Sequence, residues 1–134
     1  MKRFIGTWRL VSITGQDGAP YPARGTNPAG LIHYDATGLM AVQIVPDRRR
    51  PRFSGAHPTP EEARAALIGY TAYFGTYSID ERAGTVTHHR EGNVNPGRLG
   101  DFVRRYEFLA DDRLALMPVE QENPIGRLIW ERAK

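Results

Sequence analysis

Apolar and polar residues alternate along most of this chain, and short Gly-, Asp- and Pro-containing turns repeatedly cut the alternation. Residues 7–14 set Trp8, Leu10 and Ser12 on one side against Thr7, Arg9 and Val11, and Gly15-Gln16-Asp17-Gly18 ends the run. A Pro- and Gly-rich loop covers 19–30. Residues 31–34 and 39–45 then flank Asp35-Ala36-Thr37-Gly38, a hairpin turn with Gly where a positive φ is needed. After a second loop over 46–58, Thr59-Pro60-Glu61-Glu62 reads as a helix start: Thr59 caps, Pro60 takes the first helical position and Glu62 closes a capping box. The helix is expected over 60–68, because Gly69 and the β-prone Tyr70-Thr71-Ala72-Tyr73 follow it. Strands 70–80 and 85–91 are expected to pair across 81–84, strands 101–109 and 114–119 across 110–113, and 126–133 is the last strand. The pattern predicts one all-β domain over 1–134: eight antiparallel strands in an up-and-down barrel, with one short α-helix between strands 3 and 4. A flattened sandwich is the alternative.

The hairpin over 70–91 assigns its own faces. Pairing Asp80 with Thr85 puts Tyr77 opposite His88 and Ile79 opposite Val86. Tyr73, Gly75, Tyr77, Ile79, Val86, His88 and Arg90 then share one face; Phe74, Thr76, Ser78, Thr85, Thr87, His89 and Glu91 share the other. The second set is the more polar and is placed in water. By the same logic Phe102, Arg104, Tyr106 and Phe108 point inward, as do Leu128, Trp130 and Arg132. The register of 114–119 stays open, since symmetric pairing sets Met117 opposite Tyr106 but turns Leu114 and Leu116 outward.

Composition narrows the class. The chain of 134 residues holds 25% charged residues and no apolar run long enough to span a membrane. It has no cysteine, which removes disulfides and thiol chemistry and suits a cytoplasmic protein. Met1-Lys2-Arg3 is not followed by an apolar stretch, so no secretion signal is expected. The net charge is only +3, and the densest basic run, Arg48-Arg49-Arg50-Pro51-Arg52, lacks interleaved aromatics; it reads as a solvated loop rather than a nucleic-acid footprint. His88 and His89 are adjacent on a strand and face opposite ways, and His33 and His57 lie in other elements, so no metal site is expected. Neither a phosphate-binding glycine loop nor a nucleophile elbow occurs, and no cofactor is expected.

What remains is an aromatic lumen holding a few polar groups, the make-up of a small-molecule pocket. Tyr77, His88 and Arg104 are the candidate catalytic residues; Tyr73, Arg90, Phe102, Tyr106, Met117 and Trp130 are the candidate ligand contacts. A Tyr opposite a His is also a common way to satisfy a core hydrogen bond. A guanidinium inside a barrel demands an acceptor, either on a ligand or on a wall residue such as Glu120. The loop over 46–59 is expected to border the open end.

Gly6-Thr7-Trp8-Arg9-Leu10-Val11-Ser12 resembles the G-x-W opening of lipocalins. The chain is closer still to the bacterial and fungal lipocalin-like domain family, through Gly30-Leu31-Ile32-His33-Tyr34-Asp35, Ala72-Tyr73-Phe74-Gly75-Thr76-Tyr77, Val86-Thr87-His88, Arg104 and Trp130-Glu131-Arg132. The resemblance implies a calycin-type barrel in which Trp8 plugs the closed base and Arg132 packs over it. It brings no shared catalytic motif. The function expected is binding of a hydrophobic or aromatic metabolite. It is either coupled to a cofactor-independent cyclisation or isomerisation in specialised metabolism or limited to intracellular carriage.

Overall fold

The strands follow one another around a single closed sheet. The computed structural model describes residues 2–110, 112–120, 123 and 125–134; Asp111, in the turn expected over 110–113, lies outside them. In chain order the elements are a 3-10 turn (Lys2–Phe4), β1 (Gly6–Gly15), a second 3-10 turn (Pro22–Arg24), β2 (Ala29–Tyr34), β3 (Leu39–Val45), α1 (Pro60–Leu67), β4 (Thr71–Asp80), β5 (Thr85–Asn93), β6 (Gly100–Ala110), β7 (Arg113–Pro118) and β8 (Ile125–Arg132). Each strand pairs antiparallel with the next, and β8 returns to β1, so the barrel is closed and the sandwich alternative falls.

Local chemistry explains the turns. Asp35 Oδ1 accepts from the backbone N–H groups of Thr37 and Leu39, holding the β2–β3 hairpin, and these hydrogen bonds keep its carboxyl below the usual range. Thr59 and Glu62 form the expected capping box at α1, with Thr59 Oγ1 accepting from Glu62 N at 3.2 Å and Glu62 Oε1 from Thr59 N at 2.8 Å. No residue of α1 is buried, so the helix lies on the barrel rather than inside it. The basic loop serves this helix. Arg48 Nη1 donates to Ile68 O and Arg50 Nε to Ala66 O, placing positive charge at the negative end of the helix.

The β4–β5 register runs as expected, with Tyr77 opposite His88 and a bulge between Phe74 and Gly75. The β6–β7 register resolves the open question against symmetric pairing. A shift between Phe108 and Ala110 sets Leu116 opposite Tyr106 and Leu114 opposite Phe108. Met117 moves opposite Arg105, onto the other face. The slip buries Leu114 and Leu116 completely, which symmetric pairing would have turned into water.

The base is closed by aromatic packing. Phe4 meets Tyr34, Tyr106 and Phe108 edge-on, with ring centroids 5.3, 4.8 and 5.1 Å away. Trp8 is fully buried and donates its indole N–H to Phe4 O at 2.9 Å. The Arg132 guanidinium covers the Trp8 ring at 4.2 Å and donates to Ile5 O and Arg3 O, each at 2.8 Å. Gly6 has φ +130°, and a Cβ there would lie 2.9 Å from Arg132 Nη1, so only glycine fits the approach. Among the described residues no helix is long and apolar enough to cross a membrane.

Candidate functional site

With the base filled, the interior opens at the other end into a cavity of about 700 Å³. Ile32, Val42 and Ile44 from β2 and β3, with Leu116 and Leu128, form its apolar wall. Tyr73, His88, Arg90, Phe102 and Arg104 from β4, β5 and β6 form the polar wall, and Trp130 also lines it. Around the mouth stand Tyr21, Arg24, Tyr70, Arg98, Asp101 and Glu120. The rim segment beside α1 is Gly69-Tyr70-Thr71; the 46–59 loop lines none of the cavity but borders its mouth, with Arg50 over the Tyr70 ring at 4.9 Å and Asp47 N donating to Arg24 O.

His88 organises the polar wall. It is fully buried, with Nε2 at 2.6 Å from Tyr34 Oη and Nδ1 at 2.7 Å from Tyr73 Oη. Burial, reinforced by the Arg104 and Arg90 charges, pushes its pKa well below the ordinary value of 6.5, so the ring is neutral near pH 7. A neutral imidazole donates through one nitrogen and accepts through the other. Burial likewise raises the phenols of Tyr34 and Tyr73, which are therefore protonated.

Arg104 is 7% exposed, and its guanidinium lies 4.5 Å from the Phe102 ring centroid. Arg90 approaches the same ring at 4.8 Å and is tied to Gly100 O. Burial pulls the Arg104 pKa down, while the Tyr73 and Tyr34 phenols and the Glu120 carboxylate hold it up. Among the described residues, Arg104 Nε and Trp130 Nε1 are buried without a hydrogen-bond partner. Four arginines (Arg24, Arg90, Arg98, Arg104) and two carboxylates (Asp101, Glu120) line the cavity, which is therefore electropositive.

The structure thus brings together Tyr73, His88, Arg90, Phe102, Arg104 and Trp130 around one space. Three expected members stand outside it. Tyr77 is His88's register partner, but its hydroxyl donates to Asp35 O at 2.7 Å, towards the closed end. Tyr106 packs against Phe4 in the base, and Met117 is on the outer face. Alternation along a strand gives the face of a residue but not its height in the barrel: Tyr77 and Tyr106 do face inward, at the level of the base. Tyr34 was missed altogether. The alternation of Leu31-Ile32-His33-Tyr34 pairs it with Ile32 on one face, and that was the available signal.

On the outer wall, Ser78 Oγ lies 2.9 Å from His89 Nε2, and His89 Nδ1 lies 2.6 Å from Asp101 Oδ1. The order of groups is that of a nucleophilic triad. It sits across an open sheet face, with the His89 and Asp101 side chains 37% and 67% exposed, and neither Ser78 nor His89 lines the cavity.

Comparison with curated proteins finds no match to the chain. The family model described as a lipocalin-like domain matches residues 5–133.

Proposed function

The chain belongs to the lipocalin-like domain family, and from that premise we propose that its barrel binds a small hydrophobic or aromatic molecule. One observation carries this reading: an open-ended cavity of about 700 Å³ with an apolar wall facing a few converging polar groups. The base beneath it is fully packed, so a ligand would enter and leave by the mouth. No cofactor is called for. The absence of cysteine suits work in the reducing cytoplasm.

The hydrogen-bonded series Tyr34–His88–Tyr73 favours a second reading, a cofactor-independent cyclisation or isomerisation. Both His88 nitrogens are engaged by phenols, so His88 would not touch a substrate; Tyr73 would, with His88 behind it as a positioning residue. Without turnover, the same cavity serves carriage or sequestration.

The binding reading is tested by titrating the protein with the neutral fluorophore phenylnaphthylamine. Saturable one-to-one enhancement is expected, and it should be lost in Val42→Trp, which fills the apolar wall. Absence of saturable binding, or binding indifferent to Val42→Trp, would overturn the pocket. For any ligand then identified, Tyr73→Phe separates the classes: a carrier changes only in affinity, whereas an enzyme loses rate while still binding.

A further inference from the structure

Donors outnumber acceptors on the polar wall, and the hydrogen-bond accounting around His88 sharpens the imbalance. Tyr34 Oη is enclosed in the base, and the one partner it shows among the described residues is His88 Nε2. If Tyr34 accepted from Nε2–H, its own proton would be buried without an acceptor, at the full desolvation penalty. Donor counting therefore assigns Tyr34 O–H as donor to Nε2, leaving the His88 proton on Nδ1, from which it is given to Tyr73 Oη. The Arg104 guanidinium and the Tyr73 phenol line the same wall and couple electrostatically. Tyr73 Oη thus receives the His88 proton from the wall behind it, and its own O–H is left for the cavity.

Two further donors on the cavity lining, Arg104 Nε and Trp130 Nε1, have no acceptor among the described residues. Arg104 carries a full charge with no ion pair among the described residues, and Glu120 is exposed at the mouth. A buried charge and two neutral donors of this kind are stable together only beside an oxygen rich in lone pairs.

Resting on the pocket reading above, we propose that Arg104, Tyr73 and Trp130 form an acid-recognition subsite in this cavity, and that its ligand is an aromatic or hydrophobic molecule bearing a carboxylate, enolate or phenolate oxygen. The apolar wall of Ile32, Val42 and Ile44 takes the hydrocarbon part. The anion sits at the Arg104 end, where Phe102 holds the guanidinium in place from one side.

The test compares two probes of one shape, naphthoate and naphthamide, titrated by calorimetry against the full chain at neutral pH. Naphthoate is expected to bind more tightly by about 10- to 100-fold, the effect of charge-assisted hydrogen bonds from a largely buried guanidinium. Arg104→Met should erase that preference while naphthamide binding changes by less than about 3-fold. Should Arg104→Met not fold, Tyr73→Phe and Trp130→Phe carry the test: each removes one donor and should weaken naphthoate by about 3- to 10-fold, with naphthamide little changed. Equal affinity for the two probes, or a preference that survives all three substitutions, overturns the subsite. If phenylnaphthylamine binds and neither naphthalene acid nor amide does, the pocket stands and the acid subsite falls. If none of the three binds, the pocket reading falls and takes the subsite with it.

Discussion

Arg132 and Trp8 are register partners on the two strands that close the barrel, and the guanidinium of one lies 4.2 Å over the indole of the other. The same guanidinium donates to Ile5 O and Arg3 O, so one side chain ties the last strand to the segment that enters the first. Arg132→Met should therefore destabilise the protein by about 2–4 kcal/mol in urea unfolding, from lost charged hydrogen bonds and cation–π contact. Arg132→Lys should recover only part of that, because an ammonium cannot reach both carbonyls while lying flat on the ring. Trp8→Ala removes a fully buried indole and should cost about 3–5 kcal/mol.

His88 sets an acid limit on stability. Its folded pKa lies well below the unfolded value of 6.5, so above that value both states are neutral and the group has no effect. As pH falls through it, the unfolded chain takes up a proton that the folded one refuses, and stability drops by about 1.4 kcal/mol per pH unit. Unfolding free energies measured between roughly pH 6.5 and 5 should show this slope and lose it in His88→Gln. A slope unchanged by the substitution would mean that His88 is protonated in the fold.

Tyr34→Phe should destabilise by about 1–3 kcal/mol, because it strips the buried Nε2 of its partner in a place water cannot enter. Tyr73→Phe should cost less, since Nδ1 faces a cavity that water can fill. Equal losses from the two substitutions would argue that both hydroxyls are sealed off alike.

Two glycines on the β4–β5 hairpin should respond unequally to alanine. A Cβ at Gly75 would run into the carbonyl of His89 across the bulge, a backbone atom that cannot step aside, and about 1–3 kcal/mol should be lost. At Gly92 the obstacle is the ring of Phe74, which is 56% exposed and free to swing away, so the thermal midpoint should barely move.

Thr59→Ala removes the hydroxyl that accepts from Glu62 N, leaving only the Glu62 Oε1 bond to the backbone N–H of residue 59, and should cost the helix about 0.5–2 kcal/mol. With no buried residue on α1, that loss should appear as faster amide exchange over the helix and leave the barrel's unfolding midpoint almost unchanged.

How far the sequence could be read depended on the range of the interaction involved. Turn chemistry is local, so Asp35-Ala36-Thr37-Gly38, the Thr59 cap and the β4–β5 register from Asp80 and Thr85 were all legible. The β7 register was not, because the shift past Leu109 is driven by burial of Leu114 and Leu116 against strands distant in the chain. The polar wall was half legible. Alternation turned Tyr73, His88, Arg90, Phe102 and Arg104 to one side, but it says nothing about height, and height separates Tyr77 from the cavity that His88 lines. Tyr34 reaches His88 across 54 positions of sequence, a contact that no local pattern announces. Phe4 is hidden in another way: its place in the base depends on a single 3-10 turn before β1.

The seam between β1 and β8 also bears on how the molecule is born. During synthesis residues 6–15 emerge ahead of the other strands, yet one whole edge of that strand has no partner until residues 125–132 have left the ribosome. For all of that interval Ile13 and Trp8, which the finished barrel buries, belong to an open ribbon whose two outer edges can pair with any passing strand. Closing the barrel is therefore a pairing between opposite ends of the sheet. A nascent chain stalled short of Ile125 is, by this logic, a sticky sheet rather than a smaller barrel.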